Sequence, residues 1–335
     1  MNGKRWAALG IAAGLFFVSI AINFFSSLAF MDAEATLNDF FDTDELFAEE
    51  IVKEGDEFKQ IAILEVNGVI QDTGDVSSFM ESPTYNHRKF MKRLDYIKEN
   101  DEIQGLILQV NSPGGGVVES AEIHDKLVEI KKKTKKPIYV SMGSMAASGG
   151  YYISAPADKI FASKSTMTGS LGVIMQGINY EGLADKYGVD FVTIKSGPYK
   201  DIMSPTREMT EEERKILQEM IDNSYEDFAK VISKGRKMPL DEVKKIADGR
   251  IYDGQQAKEL NLIDEFGYLD EVITNMEKEF NMKDAQVVRF NDNKGIRSIF
   301  QLGASKLIGS DMELTGLMNI LSRPNSPRLM YLYAE

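Results

Sequence analysis

Two stretches decide how this chain reads: Val110-Asn111-Ser112-Pro113-Gly114-Gly115-Gly116 and Ser144-Met145-Ala146-Ala147-Ser148-Gly149-Gly150. Each begins where an apolar run of strand character stops, residues 104–110 before the first and residues 137–142 before the second. Each then leads into a segment of helical periodicity. In an open parallel α/β sheet that position is the carboxyl edge, where ligands and reacting groups collect. Glycines there let backbone approach a bound group closely, and a helix start offers free N–H donors to developing negative charge. Ser148 is flanked by Ala146, Ala147, Gly149 and Gly150, so little bulk surrounds its hydroxyl. That is how an attackable nucleophile is displayed, although a serine at a helix start is also an ordinary N-cap.

Working outward, residues 60–66 read as a buried strand, a helix spans about 87–100, and Val117 to Lys133 is a periodic helix stopped by Pro137. Further strands are expected at 159–162, 171–175 and 190–195, so strands and helices alternate as in a parallel sheet covered by helices. Thr210 and Glu213 make a capping box that opens a long helix. Its stripe of Ile216, Leu217, Met220, Ile221, Phe228, Val231 and Ile232 is core or a subunit contact, and Gly235 is expected to end it.

Four segments in order carry a family resemblance: residues 111–116, residues 141–152, Thr168 to Val173, and Lys195 to Pro205. The chain resembles the signal peptide peptidase A family in its short, single-repeat bacterial form. The likeness runs from about Ile61 to Gly267, and the tail Ser326 to Ala334 adds to it. The resemblance implies an α/β fold of Clp-protease/crotonase-like repeated ββα units and a serine peptidase with a Ser/Lys dyad. On the matching positions, the nucleophile is Ser148, the general base Lys200, and the hydroxyl that supports the lysine Ser170. Gly114 and Gly149 are expected to supply the oxyanion hole through their backbone N–H groups.

Read without that resemblance, the base stays open. A lysine serves only when neutral, and burial lowers its reference pKa of about 10.4 by several units. Lys195 and Lys200 both fall near a strand end, either is an ordinary surface cation by default, and Asp201 offers Lys200 a plain ion pair. A Ser–His triad has only His87 or His124 to draw on. His124 falls on the helical stripe Val117, Ala121, His124, Val128, where packing is its default role.

Residues 6–30 are nearly all apolar, behind Lys4 and Arg5 and ahead of an acidic stretch. A bilayer core needs about 20 such residues and a signal-peptide core about 7–15, so length favours an uncleaved anchor. The charges orient residues 1–5 to the cytoplasm and the rest outside it, and the resemblance implies that the membrane is a bacterial cell membrane. Residues 31–59 hold eleven acids against two lysines and read as a solvated linker. The catalytic domain is expected over 60–295 and a C-terminal extension over 296–335.

The net charge of −13 argues against nucleic acid as the main partner. With no cysteine, thiol catalysis and disulfides are out of reach, and with only His87 and His124 a two-histidine metal site is not expected. The lysines at 131–136 suit a helix C-terminus. No cofactor and no metal is expected.

In relatives of the short form, serine and lysine come from neighbouring subunits of an octameric ring, which makes a homo-octamer the expected assembly. Substrates are expected to be signal-peptide remnants and other unfolded hydrophobic peptides, and the apolar tail 329–334 is a candidate occupant of the same groove. Two other classes share parts of the pattern: a crotonase-type acyl-CoA enzyme, which needs no Ser148, and a catalytically silent membrane scaffold.

Overall fold

The computed structural model describes residues 14–16, 18–19, 48–73, 85–291 and 329–333. Residues 49–335 form one compact unit, and the account below concerns its described residues. In chain order the strands are β1 (Ala48–Lys53), β2 (Asp56–Asn67), β3 (Ile103–Ser112), β4 (Gly114–Gly116), β5 (Ile138–Ala147), β6 (Lys159–Ala162), β7 (Met167–Gly169), β8 (Ile251–Asp253), β9 (Glu265–Phe266), β10 (Ala285–Asn291) and β11 (Met330–Leu332). The helices are α1 (His87–Glu99), α2 (Val117–Thr134), α3 (Gly149–Ser154), α4 (Glu181–Lys186), α5 (Glu211–Arg236), α6 (Leu240–Ile246), α7 (Gly254–Glu259) and α8 (Leu269–Glu279).

The central sheet runs β1-β10-β2-β3-β5-β6-β9, with β7 beside the end of β5 and β8 beside β7. The pairs β10/β2, β2/β3, β3/β5, β5/β6 and β6/β9 are parallel. This is the mixed α/β architecture that the alternation of apolar runs demands. The middle strands are apolar on both faces because helices cover both, as parallel sheets require. One face packs Ile61, Ile63, Ile107, Tyr139 and Phe161 against Val272, Ile273 and Met276 of α8. Gly105 belongs to that contact: a Cβ there would stand 2.9 Å from the Met276 sulfur.

Several expectations change in detail. The sheet begins at Ala48, so β1 and the start of β2 fall within the stretch assigned to an acidic linker. Residues 190–195 form no strand; they are irregular and exposed, Ile194 at 97 %. A strand needs an edge to pair with, and the described residues offer none beside them. Of 171–175, only Ile174 makes a bridge, and its partner is Met330 of the tail. The buried face of α2 is Ser120, Ile123, Leu127 and Ile130, one residue round from the expected stripe.

The capping box at Thr210 forms as expected, but α5 runs one residue beyond Gly235, to a left-handed Lys237 cap. Gly235 is instead a point of close approach, because a Cβ there would stand 2.1 Å from the Ala155 carbonyl oxygen. Among the described residues no helix is long and apolar enough to cross a membrane. The expected anchor at 6–30 lies almost wholly outside them, as does most of 296–335.

Candidate active site

β3 and β5 are parallel neighbours, so the two glycine-rich stretches that follow them meet at one end of the sheet. Ser148 links β5 to α3 with φ 53° and ψ −116°. A non-glycine residue held in such a region costs about 1–3 kcal/mol, and such strain gathers at functional sites. Here the surroundings impose it. The Ser148 N–H donates to the Gly169 carbonyl (2.8 Å), and its own carbonyl accepts from the Tyr152 N–H (2.8 Å). The residue is 1 % exposed, and its Oγ is a buried hydroxyl with no hydrogen-bond partner. An orphaned buried hydroxyl forgoes about 1–3 kcal/mol. A sharp strand-to-helix turn that presents such a serine is the geometry of a nucleophile awaiting its base.

Ser170 follows from register. Ala147 pairs with Gly169 across β5 and β7, which sets residue 170 beside residue 148 at the same sheet edge. Ser170 is also left-handed (φ 49°) and buried, its N–H bonded to the Arg250 carbonyl at 2.7 Å.

Gly114 and Gly149 are also brought together. A Cβ on Gly114, whose φ is 102°, would stand 2.6 Å from the Gly149 nitrogen. Gly149 opens α3, so its N–H has no partner within the helix. The Gly114 N–H, in contrast, donates to the Ser112 hydroxyl at 3.0 Å, which is itself fully buried. As the molecule stands, one of the two expected oxyanion donors is occupied by a neighbour in its own turn.

Lys200 does not join them. It is exposed, and Ser148 Oγ has no hydrogen-bond partner, so the dyad is not assembled within one protomer. The acid next to it is not its partner either. Asp201 is bound by Arg207 and Lys195 (2.6 Å), and both hold its carboxyl well below the usual range, Arg207 the more strongly. Lys136 is a lysine whose pKa burial lowers, but its ammonium closes the end of α1, donating to the carbonyls of Ile97 and Asn100. Neither histidine reaches Ser148. His87 bridges Tyr85 and Glu122 at 2.7 Å each, and His124 lies edge-on to Tyr152 with burial lowering its pKa. Among the described residues no group of His, Asp and Glu is placed to hold a metal ion.

Composition and periodicity gave no sign of an aromatic pocket here. The tail strand β11 pairs antiparallel with β4, Tyr331 opposite Gly115, and Met330 exchanges 3.0 Å hydrogen bonds with Ile174. Tyr331 is buried, stacked on Tyr152 at 4.8 Å and tilted against Phe228 at 4.6 Å, its hydroxyl donating to the Ser224 carbonyl. Its carbonyl oxygen lies against the glycines: a Cβ on Gly114 would come within 2.0 Å of it, and one on Gly149 within 3.1 Å. The tail therefore occupies the cleft beside Ser148 as an extended peptide. A pocket of about 530 Å³ is lined by Ser170, Ile174, Ile221, Tyr225, Leu332 and Tyr333.

The sequence that builds this edge matches known protein families. The profile of peptidase family S49 matches residues 130–283, and that of Clp protease matches residues 64–173. The chain is 42 % identical to "Putative signal peptide peptidase SppA" of Enterococcus faecium, with 99 % of each chain covered. It is 34 % identical to Protease 4 of Haemophilus influenzae over 70 % of this chain and 41 % of that one. It is 28 % identical to "Serine protease SPPA, chloroplastic" of Arabidopsis thaliana, over 78 % and 39 %.

Proposed function

The chain belongs to peptidase family S49 and is a serine peptidase, and from that premise we propose that it is a membrane-anchored endopeptidase. It cuts remnant signal peptides and other unfolded hydrophobic segments by acyl transfer through Ser148, with Lys200 as general base. The observation that carries the nucleophile is the strained, buried Ser148 with an unpartnered hydroxyl at the edge where both glycine loops meet. Membership of a peptidase family speaks against the acyl-CoA reading, and the Ser148→Ala and Lys200→Ala variants separate the peptidase from a silent scaffold.

In the mechanism, neutral Lys200 takes the proton from Ser148 Oγ as the oxygen attacks the peptide carbonyl. Ser170 holds the amine in line. The Gly149 N–H at the start of α3 stabilises the oxyanion, joined by the Gly114 N–H once it leaves Ser112; such a donor contributes about 10²–10³ in rate. The lysine then protonates the leaving amine, and water, activated by the same base, releases the acyl group.

The exposed Lys200 and the partnerless Ser148 favour a dyad built between subunits of a homo-oligomeric ring, an octamer by the resemblance. Ile178, Leu183, Tyr187, Val192 and Ile194, each more than half exposed, give the segment that carries Lys200 an apolar surface to bury in such a ring. Substrate preference follows from the tail: an extended peptide adds beside β4 and puts an aromatic or large apolar side chain between Tyr152 and Phe228. The catalytic domain lies outside the cytoplasm, tethered by residues 6–30.

The test is covalent labelling of the full-length protein in detergent with a hydrophobic peptidyl fluorophosphonate. An adduct mapped to Ser148 by mass spectrometry, with labelling abolished in Ser148→Ala and strongly slowed in Lys200→Ala, is expected. Unchanged hydrolysis of a hydrophobic peptide ester by both variants would falsify the dyad.

A further inference from the structure

A lysine cannot act as a base while it is paired with a carboxylate, and the residue after Lys200 is an aspartate. We propose that Arg207, helped by Lys195, is a positioning residue for this site: it holds the Asp201 carboxylate away from Lys200, leaving the base unpaired. The inference rests on the assignment of Lys200 as general base and adds to it the device that frees it.

The geometry is explicit. Asp201 Oδ1 accepts from Lys195 Nζ (2.6 Å) and Arg207 Nη2 (2.7 Å), and Oδ2 accepts from Arg207 Nε (2.8 Å). Arg207 also grips the main-chain carbonyl of Asp201 at 3.1 Å, fixing the backbone next to Lys200. The other edge of the guanidinium is anchored in the helix layer. It meets Glu213 at 2.8 and 2.5 Å and the Glu208 carbonyl at 2.9 Å. Glu213 is buried and cannot drift, because its side chain also accepts from the Thr210 N–H in the capping box of α5. The start of α5 thus reaches through Arg207 to the residue beside the base.

Only a planar fork can hold two carboxylates this way; a lysine ammonium cannot. Around Asp201 the charged groups are Lys195, Arg207 and Glu213, with Glu212 one step away holding the Tyr199 hydroxyl at 3.2 Å. Lys195 and Arg207 balance Asp201 and Glu213, so the cluster presents no net charge to Lys200. Without Arg207 the cluster carries one surplus negative charge beside the base.

The sign of the effect is fixed. The base works unprotonated, so kcat/KM rises with pH through its pKa. A freed carboxylate favours the charged lysine and raises that pKa, moving the acid limb to higher pH. The experiment follows kcat/KM for a hydrophobic peptide ester against pH, using the full-length protein in detergent. Arg207→Gln is expected to move the acid limb up by about one pH unit, roughly a tenfold loss at a fixed pH on the limb. Arg207→Gln with Asp201→Asn returns it, and Lys195→Gln moves it the same way by less.

A merely structural Arg207 would lower the plateau without moving the limb, and that result overturns the proposal. So does a displaced limb that Asp201→Asn fails to restore. Should Arg207→Gln not fold, the Lys195→Gln profile carries the test, and an unmoved limb there overturns it. Full activity in Lys200→Ala would instead overturn the assignment of the base, a distinct outcome.

Discussion

The loop that carries Ser148 and the loop that carries Lys200 are built on opposite principles. The first is buried and glycine-rich, and main-chain hydrogen bonds to β7 and within α3 hold it in a strained conformation. The second is exposed, belongs to no sheet, and is shaped by side-chain ion pairs that run from Asp201 through Arg207 to α5. Backbone bonding fixes a nucleophile to within a fraction of an ångström but cannot adjust its charge. Side-chain ion pairs do the reverse: they set the charge around an amine and leave its position to whatever the loop docks against. On the proposed assignment, the nucleophile half is finished within one protomer, and the base half is the one that an assembly would have to complete.

The largest effect that would break this comparison concerns assembly. Ser148→Ala and Lys200→Ala alone are each expected to lose about 10⁴-fold or more in kcat, as removal of a nucleophile or its base does. Co-assembled in equal amounts, the two inactive chains should regain about a quarter of wild-type turnover, because random neighbours in a ring pair an intact serine with an intact lysine that often. A mixture as dead as its components would place both halves of the dyad in the same protomer.

A smaller effect tests how the finished half binds peptide. Tyr152→Ala removes the ring on which Tyr331 stacks, and kcat/KM for a peptide with an aromatic residue in that pocket should fall about tenfold, the worth of one aromatic contact. The same substitution should loosen the tail, seen as faster cleavage after residue 328 by an added protease. Peptide kinetics and tail protection that both match the wild type would mean that Tyr331 marks no substrate pocket.

The smallest effect is on stability. Arg207, and then the Thr210 N–H, lower the pKa of Glu213 to about 2. A depressed carboxyl stabilises the fold at pH above its unfolded value, and that contribution is lost as pH falls through the folded one. Glu213→Gln should therefore melt a few degrees below wild type at neutral pH, with the gap narrowing from about pH 4.5 and closing near 2. A gap of constant size across that range would show that the carboxylate's charge contributes nothing to the ion cluster.

Much of the finished half was readable from residues alone, and little of the other was. Two glycine stretches, each after an apolar run, place Ser148 at a sheet edge because strand and helix periodicities act over a few residues. The capping box at Thr210 is equally local. The buried face of α2 came out one position round from the expected stripe because only the packing against α1, α3 and β4 selects among neighbouring faces. Residues 190–195 have strand composition and no strand, since composition does not supply a neighbouring edge.

What the chain by itself determined is the alternation of strands and helices through the middle of the sheet and the glycine loops that set Ser148 at its edge, for these depend on local propensity and on the alternation of apolar residues. The folded molecule alone decided that Tyr331 lies between Tyr152 and Phe228, that the Gly114 N–H is turned to Ser112, and that Asp201 answers to Arg207 and not to Lys200. Those choices are competitions among partners, and a competition is resolved only when every contender has been brought within reach.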